Sequence, residues 1–287
     1  MDIVKNESMK KHTSFKIGGF ADEFCEACDA EEIESLINYA SSKNIPYTII
    51  GNGTNLLVSD KGIRGLVIKI ADKYADIKIS GNRIIADSGT LLTKIALEAL
   101  KNSLEGFEFA SGIPGTLGGA VFMNAGAYGG EMKDIVTSVT FLKDGKKHTL
   151  SKDKLDFGYR KSVFTGTDAV ILSAELELKS GNKDEIFVKM EDYRKRRTEK
   201  QPLLIPSAGS TFKRPEGFFA GKLIEDAGLK GFRIGGASVS EKHSGFVVND
   251  GNATAEDVLL LIRHIQKTVK DKFGVDLETE VKLLGEF

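Results

Sequence analysis

Two glycine-rich segments and three isolated polar residues hold most of the chemistry this sequence has to offer. The run Ser111-Gly-Ile-Pro-Gly-Thr-Leu-Gly-Gly-Ala-Val-Phe-Met-Asn-Ala-Gly-Ala-Tyr-Gly-Gly-Glu131 places seven glycines in the 19 positions from Gly112 to Gly130. Glycine loses more conformational freedom on folding than any other residue, so such density needs a reason. One reason is the close approach of bare backbone N–H groups to a flat or phosphorylated ligand. The other is a tightly packed turn that binds nothing. The second segment, Gly51-Asn-Gly-Thr-Asn55, offers backbone and side-chain donors that suit a pyrophosphate, and it also fits a polar inter-strand turn.

Neither segment is a Rossmann fingerprint. Gly112, Gly115 and Gly118 are spaced Gly-x-x-Gly-x-x-Gly, and Gly51-Asn-Gly53 lacks the third glycine and leads into a strand. No Walker A sequence is present. A dinucleotide bound here is therefore held by loops. The three polar residues are Arg160 in Phe-Gly-Tyr-Arg-Lys-Ser, Ser210 in Ser-Ala-Gly-Ser-Thr-Phe, and Glu280 in Leu-Glu-Thr-Glu-Val. Taken singly each reads as a surface charge or turn residue, and spacing alone does not bring them together.

Strands and helices must position these groups. Ala30 to Ser42 reads as a helix with Ile33, Leu36, Ile37 and Ala40 on one face. The strands Tyr47–Ile50, Leu56–Ser59 and Gly65–Ile70 follow, so the first glycine loop lies between strands. Arg83–Asp87 reads as a strand and Leu91–Leu100 as a helix ahead of the long run. Val136–Lys143 and Lys147–Leu150 form a predicted hairpin across Asp144-Gly145, a type I′ turn sequence. Ala169–Leu178 alternates as a strand, and Glu185–Thr198 is a helix ending in the basic cluster Arg194-Lys-Arg-Arg197. Beyond Gln201-Pro202 come a short helix, Phe218–Ala227, and a strand, Phe246–Val248. A helix opened by the variant capping box Thr254-Ala-Glu-Asp257 and ended by Gly274, then a last strand, Glu278–Leu284, complete the chain. The fold class is α+β in three modest domains: residues 1–70, 71–200 and 201–287.

The 287 residues, 41% apolar, are ample for a core. Forty Lys and Arg against 41 Asp and Glu give no global field for nucleic acid or an anionic membrane, so an anionic ligand must be held locally. No apolar stretch reaches the roughly 20 residues of a membrane span, and the first residues have no signal-peptide core. A cytoplasmic chain, acting as a monomer, is the expectation. Cys25 and Cys28 read as strand residues facing opposite ways, because a zinc site needs further ligands and none is near.

Seven motifs, in order and at family spacing from about His12 onward, carry a resemblance. They are Thr13-Ser-Phe-Lys-Ile-Gly-Gly19, Gly51-Asn-Gly-Thr-Asn-Leu-Leu57, Gly112-Ile-Pro-Gly-Thr-Leu-Gly-Gly-Ala120, Asn124-Ala-Gly-Ala-Tyr-Gly129, Tyr159-Arg-Lys-Ser162, Ala208-Gly-Ser-Thr-Phe212 and Gly235-Gly-Ala-Ser-Val239. The sequence resembles the UDP-N-acetylenolpyruvoylglucosamine reductase (MurB) family of peptidoglycan precursor synthesis. The resemblance implies a PCMH-type FAD-binding fold of two α+β subdomains, 1–70 and 71–200. A C-terminal α+β substrate domain, 201–287, would follow, with a last strand that returns to the FAD domains. It implies noncovalent FAD, NADPH as co-substrate, and contacts from Gly51, Asn52, Gly53, Thr54 and Asn55 to the pyrophosphate. Ser111, Gly112, Ile113, Gly115, Thr116, Gly118 and Gly119 would line pyrophosphate and flavin. Asn124, Gly126 and Arg233 complete the expected cofactor set.

The family reaction passes hydride from NADPH to flavin and then to C3 of an enolpyruvyl ether, with protonation at C2. That chemistry gives the three polar residues roles. Hydride arrival at C3 pushes negative charge into an enolate, which a fixed cation and a donor stabilise more in the transition state than in the ground state. Arg160 suits the carboxylate because its guanidinium fork matches it, and a protonated Glu280 would donate to the same charge. Ser210 is the expected proton donor to C2, with Lys213 or Lys222 supporting its alkoxide. One form of the family carries an inserted tyrosine loop that closes over the uridine. Here Lys179–Lys183 leads straight into the basic helix, so the chain resembles the shorter form, and the Arg194–Arg197 cluster is a candidate for the diphosphate or simply a solvated helix end. An oxidase on the same flavin fold, or a nucleotide-sugar binding module without catalysis, are the other readings of the motifs.

Overall fold

A computed structural model describes all 287 residues, Met1 to Phe287. The principal strands in chain order are β1 (Val4–Ser8), β2 (Phe20–Glu26), β3 (Tyr47–Ile50), β4 (Leu56–Val58), β5 (Ile63–Lys69), β6 (Ile77–Ser80) and β7 (Arg83–Asp87). After them come β8 (Val136–Lys143), β9 (Lys146–Ser151), β10 (Val170–Glu177), β11 (Arg233–Ile234), β12 (Ala237–Val239), β13 (Val247–Asn249) and β14 (Lys282–Leu284). The helices are α1 (Ala30–Ser42), α2 (Leu92–Lys101), α3 (Leu117–Phe122), α4 (Met132–Ile135), α5 (Lys183–Lys200), α6 (Ala220–Asp226) and α7 (Ala255–Phe273).

The chain divides into two compact units with interleaved segments. The first holds Met1–Asp2, Cys25–Asn52 and Ile68–Arg197, and the second holds Ile3–Phe24, Gly53–Val67 and Thr198–Phe287. Both units draw on residues 1–70, and the last change of unit along the chain falls after Arg197.

The first unit is built on an antiparallel sheet of order β9-β8-β10-β7-β6. Its strands alternate buried and exposed residues because one face packs on helices. Asp144 and Gly145 both take positive φ, 49° and 68°, the two left-handed positions that a type I′ hairpin between β8 and β9 demands. Leu92, Ile95, Ala96 and Ala99 of α2, at helical spacing, join Leu117, Ala120 and Val121 of α3 in one core with Ile84, Val139, Ala174 and Leu176. Each fully buried Leu or Ile there contributes about 1.5–3 kcal/mol. The glycine run contains the short helix α3 and leads into α4. Glycine density hid α3, since Gly118 and Gly119 sit in its first turn against the usual propensity.

In the second unit α7 presents Val258, Leu261, Ile262, Ile265 and Val269 to a core shared with α6 and the β11–β12–β13 sheet. The Thr254 hydroxyl accepts the Asp257 N–H at 3.0 Å and the Asp257 carboxylate accepts the Thr254 N–H at 3.0 Å, the reciprocal box expected with Asp in place of Glu. Gly274, at φ 70°, ends the helix. β14 pairs in parallel with β4, Lys282 opposite Leu56. The expected last strand therefore starts later than Glu278, with a single bridge, Phe212 to Thr279, before it.

Cys25 is buried on β2 and Cys28 lies exposed beyond it, its thiol bonded to Glu32. No cluster of His, Cys, Asp and Glu suits a metal. No helix is long and apolar enough to cross a membrane.

Candidate active site

In the first unit the two glycine segments meet. The Asn52 side-chain amide donates to the carbonyl of Pro114 at 2.9 Å, and a Cβ on Gly51 would stand 2.6 Å from Thr116 Oγ1. Asn52 and Pro114 are 62 residues apart in sequence, and the two segments form one surface. Gly118 is equally closed to a side chain, since its Cβ would lie 2.8 Å from that of Ser88. The neighbouring turn Ser88–Thr90 receives the N–H groups of Gly118 and Leu117, and the Gly115 carbonyl accepts from Leu92. Ser111 is turned inward, its hydroxyl on the Glu108 carbonyl, and Ile113 packs on the core.

The same surface is short of partners. No acceptor in the chain meets the N–H groups of Gly112, Gly115, Gly119 or Asn52. The Ser88 hydroxyl, 2% exposed, is buried with no partner. A buried polar atom left unmatched costs about 1–3 kcal/mol, so a ligand that supplies acceptors is the natural counterpart. Unmatched amides, a lone hydroxyl and backbone that tolerates no Cβ fit the pyrophosphate and flat ring of FAD. In the sequence Ser88 is marked only as a small polar turn residue after a strand.

Asn124 behaves differently from its neighbours. It is wholly buried, and its amide donates to Glu131 and to the Gly158 carbonyl, both at 3.0 Å, while its oxygen accepts the Lys133 N–H at 2.8 Å. Its side chain is spent on protein, and it ties the glycine run to the turn Gly158–Lys161. Arg160 occupies that turn at φ 56°, a left-handed conformation that costs a non-glycine residue about 1–2 kcal/mol. Its guanidinium lies 5.0 Å from the Tyr159 ring centre and reaches the Gly126 carbonyl at 3.4 Å. Strain held in place by neighbours is common at functional sites.

Of the basic cluster, Arg194 and Arg196 are paired along α5 with Glu191 and Asp192. Arg197 has no acidic partner. It lies against the glycine run, its Cδ 3.1 Å from where a Gly112 Cβ would stand, and burial pushes its pKa down. Tyr193, one turn earlier on the same face, stacks on Tyr128 of the run at 4.3 Å and 6°. β10 reaches α5 through Leu178–Asn182 with no inserted loop.

In the second unit Ser210 and Glu280 are brought together by backbone. The Glu280 N–H donates to the Thr211 carbonyl at 2.9 Å, and the Lys213 N–H to the Glu278 carbonyl at 2.8 Å. Asn55 belongs here too, its amide donating to the Glu280 carbonyl at 3.1 Å and its carbonyl accepting from Lys282. Asn55 therefore braces Glu280. Gly53, at φ 64°, is pressed on the His12 carbonyl and accepts the Ser14 N–H. The lysines expected to support Ser210 are otherwise engaged: Lys213 pairs with Glu278, and Lys222 with Asp226 at 2.7 Å. Arg233 is likewise paired, with Asp250 at 2.6 Å.

Residues 21–151 match the family model described as an FAD binding domain, which makes the chain an FAD-dependent oxidoreductase in class. Residues 201–284 match the model for the UDP-N-acetylenolpyruvoylglucosamine reductase C-terminal domain. The chain is 56% identical to the UDP-N-acetylenolpyruvoylglucosamine reductase of Caldanaerobacter subterraneus subsp. tengcongensis over 99% of its own length and 94% of the relative's. To that of Clostridioides difficile it is 54% identical, over 99% and 94%. A solved structure of the Thermus caldophilus enzyme superimposes with a TM-score of 0.85 at 36% identity, covering 99% of this chain and 98% of the other. The chain belongs to the UDP-N-acetylenolpyruvoylglucosamine reductase family.

Proposed function

We propose that this chain reduces UDP-N-acetylglucosamine enolpyruvate to UDP-N-acetylmuramate in peptidoglycan precursor synthesis, with NADPH as donor, and that Arg160, Ser210 and Glu280 carry the chemistry. When bound, FAD would supply the hydride chemistry that links NADPH to C3 of the enolpyruvyl ether. The chain's residues handle charge and protons. Arg160, held by its strained turn and by Asn124 through Gly158, meets the substrate carboxylate with its fork. Glu280, in its protonated form, donates to the enolate oxygen as charge develops there. Ser210 gives its proton to C2, and with Lys213 and Lys222 both ion-paired, solvent rather than either lysine restores it.

Noncovalent FAD would be held by the joined surface of Gly51, Asn52, Gly112, Gly115, Thr116, Gly118 and Gly119, with Ser88 added to the set. Arg197, which lies against Gly112 and carries no carboxylate partner, takes a phosphate of the nucleotide substrate. Arg233, already in an ion pair, is the weakest member of the expected cofactor set. Cytoplasmic location, a monomeric state, the three-part division at 70 and 200, and the absence of nucleic-acid or membrane partners complete this reading.

The observation that carries the assignment is the pairing of the Ser210 and Glu280 segments through Thr211. Rapid mixing of the Ser210→Ala variant tests it. Flavin reduction by NADPH should be unchanged and reoxidation by the enolpyruvyl substrate slowed at least about a hundredfold. Unimpaired reoxidation removes Ser210 from the mechanism.

A further inference from the structure

The turn Ser240–Phe246 of the second unit holds a half-buried histidine to which the reaction assigns no part. The His243 ring fills space that two glycines leave open: a Cβ on Gly221 of α6 would stand 3.1 Å from its Cε1, and one on Gly245 2.9 Å. Phe246 meets the ring edge-on at 5.0 Å. The His243 Nδ1 accepts the N–H of Gly245 at 3.0 Å. The Gly245 carbonyl in turn accepts the N–H of Thr211 at 2.9 Å. Thr211 is held on its other sides as well, its hydroxyl accepting the Val247 N–H at 2.9 Å and its carbonyl the Glu280 N–H at 2.9 Å. A continuous line of bonds thus runs from the imidazole to the backbone beside Ser210 and on to Glu280.

We infer that His243 is a positioning residue for the proton-donating turn: its Nδ1 fixes the Gly245 peptide, whose carbonyl fixes Thr211 and so the placement of Ser210. The inference rests on Ser210 being the proton donor. Only a neutral imidazole with its proton on Nε2 has an acceptor at Nδ1. The pocket favours that form. Burial is the main influence lowering the His243 pKa, and Lys200 reinforces it. The ring's own backbone carbonyl and Glu225 of α6, itself paired with Lys230, oppose it. Bonding from a side-chain acceptor to the N–H two residues on is the pattern of an Asx turn, so asparagine can replace the acceptor where leucine cannot.

The test compares His243→Leu, His243→Asn and Ser210→Ala in the two half-reactions, each measured on FAD-loaded protein. His243→Leu should reduce its flavin with NADPH at the wild-type rate and be reoxidised by UDP-N-acetylglucosamine enolpyruvate about five- to tenfold more slowly, the effect of one lost hydrogen bond on a barrier. His243→Asn should restore reoxidation to within about twofold. In wild type the reoxidation rate should fall at a pH below the ordinary histidine range, and that limb should be missing from His243→Asn. Should His243→Leu fold poorly, the pH comparison of wild type with His243→Asn decides alone. Equal reoxidation in wild type and leucine variant, or an acid limb retained by the asparagine variant, overturns the inference. A fast Ser210→Ala would instead overturn the reading beneath it, so the two failures are told apart.

Discussion

The main-chain N–H of Glu280 donates to the carbonyl of Thr211 at 2.9 Å, and this bond sets the segment that carries Glu280 beside the one that carries Ser210, 70 positions away in sequence. Backbone pairing tolerates side-chain exchange, so each group can be altered without losing the frame. Glu280→Gln keeps a donor and should retain more turnover than Glu280→Ala, which should lose roughly 10²-fold, the usual loss on removing one donor to a developing oxyanion. Steady-state rates of the two variants, with FAD content equalised, check the order.

Arg160 combines charge with a left-handed backbone. Arg160→Lys should keep the charge, lose the fork and fall in kcat/KM by at least about tenfold. Arg160→Gly should abolish turnover yet be no less stable than wild type, because relief of about 1–2 kcal/mol of strain offsets glycine's entropy cost. Thermal melts beside rate measurements separate the two effects.

The FAD surface is sensitive at Gly118. Gly118→Ala presses a methyl to 2.8 Å from the Ser88 Cβ, an overpacking that costs about 1–3 kcal/mol. The variant should melt earlier and lose FAD on gel filtration, whereas Ser88→Ala should melt as wild type without flavin and bind flavin more weakly.

The Asp257 carboxyl is held below the ordinary range chiefly by the backbone N–H of Thr254, with that of Gly236 adding to it. A carboxylate with a depressed folded pKa contributes stability that is present above its unfolded pKa, near 3.9, and is lost as pH falls through the folded value. Asp257→Asn should therefore lower the melting temperature at neutral pH, and the difference from wild type should shrink as the pH falls below about 4. A difference that stayed constant with pH would deny the carboxylate this role.

Much of this was legible in the residues. Helical spacing gave α1 and α7 their faces, Thr254 and Gly274 marked the ends of α7, and Asp144-Gly145 marked its hairpin, because each signal is local. The family motifs named the glycine segments and the polar triad. What sequence could not supply was pairing at long range. Nothing local distinguishes Asn55 and Asn124, which brace Glu280 and the Arg160 turn, from Asn52, which joins the two glycine segments. Nor does sequence tell Arg197 from its three basic neighbours, since only the fold lays one of them against Gly112. Gly235 is the same kind of case, a motif glycine whose absent Cβ would lie 2.2 Å from the carboxylate that caps α7.

The most direct test is to purify the protein, record its spectrum, bleach the flavin with NADPH without oxygen, and add UDP-N-acetylglucosamine enolpyruvate. A yellow protein, bleached by NADPH and recoloured at once by the enolpyruvyl substrate, is the expected result. A colourless protein that takes up no FAD, or a bleached flavin indifferent to that substrate, would contradict the account.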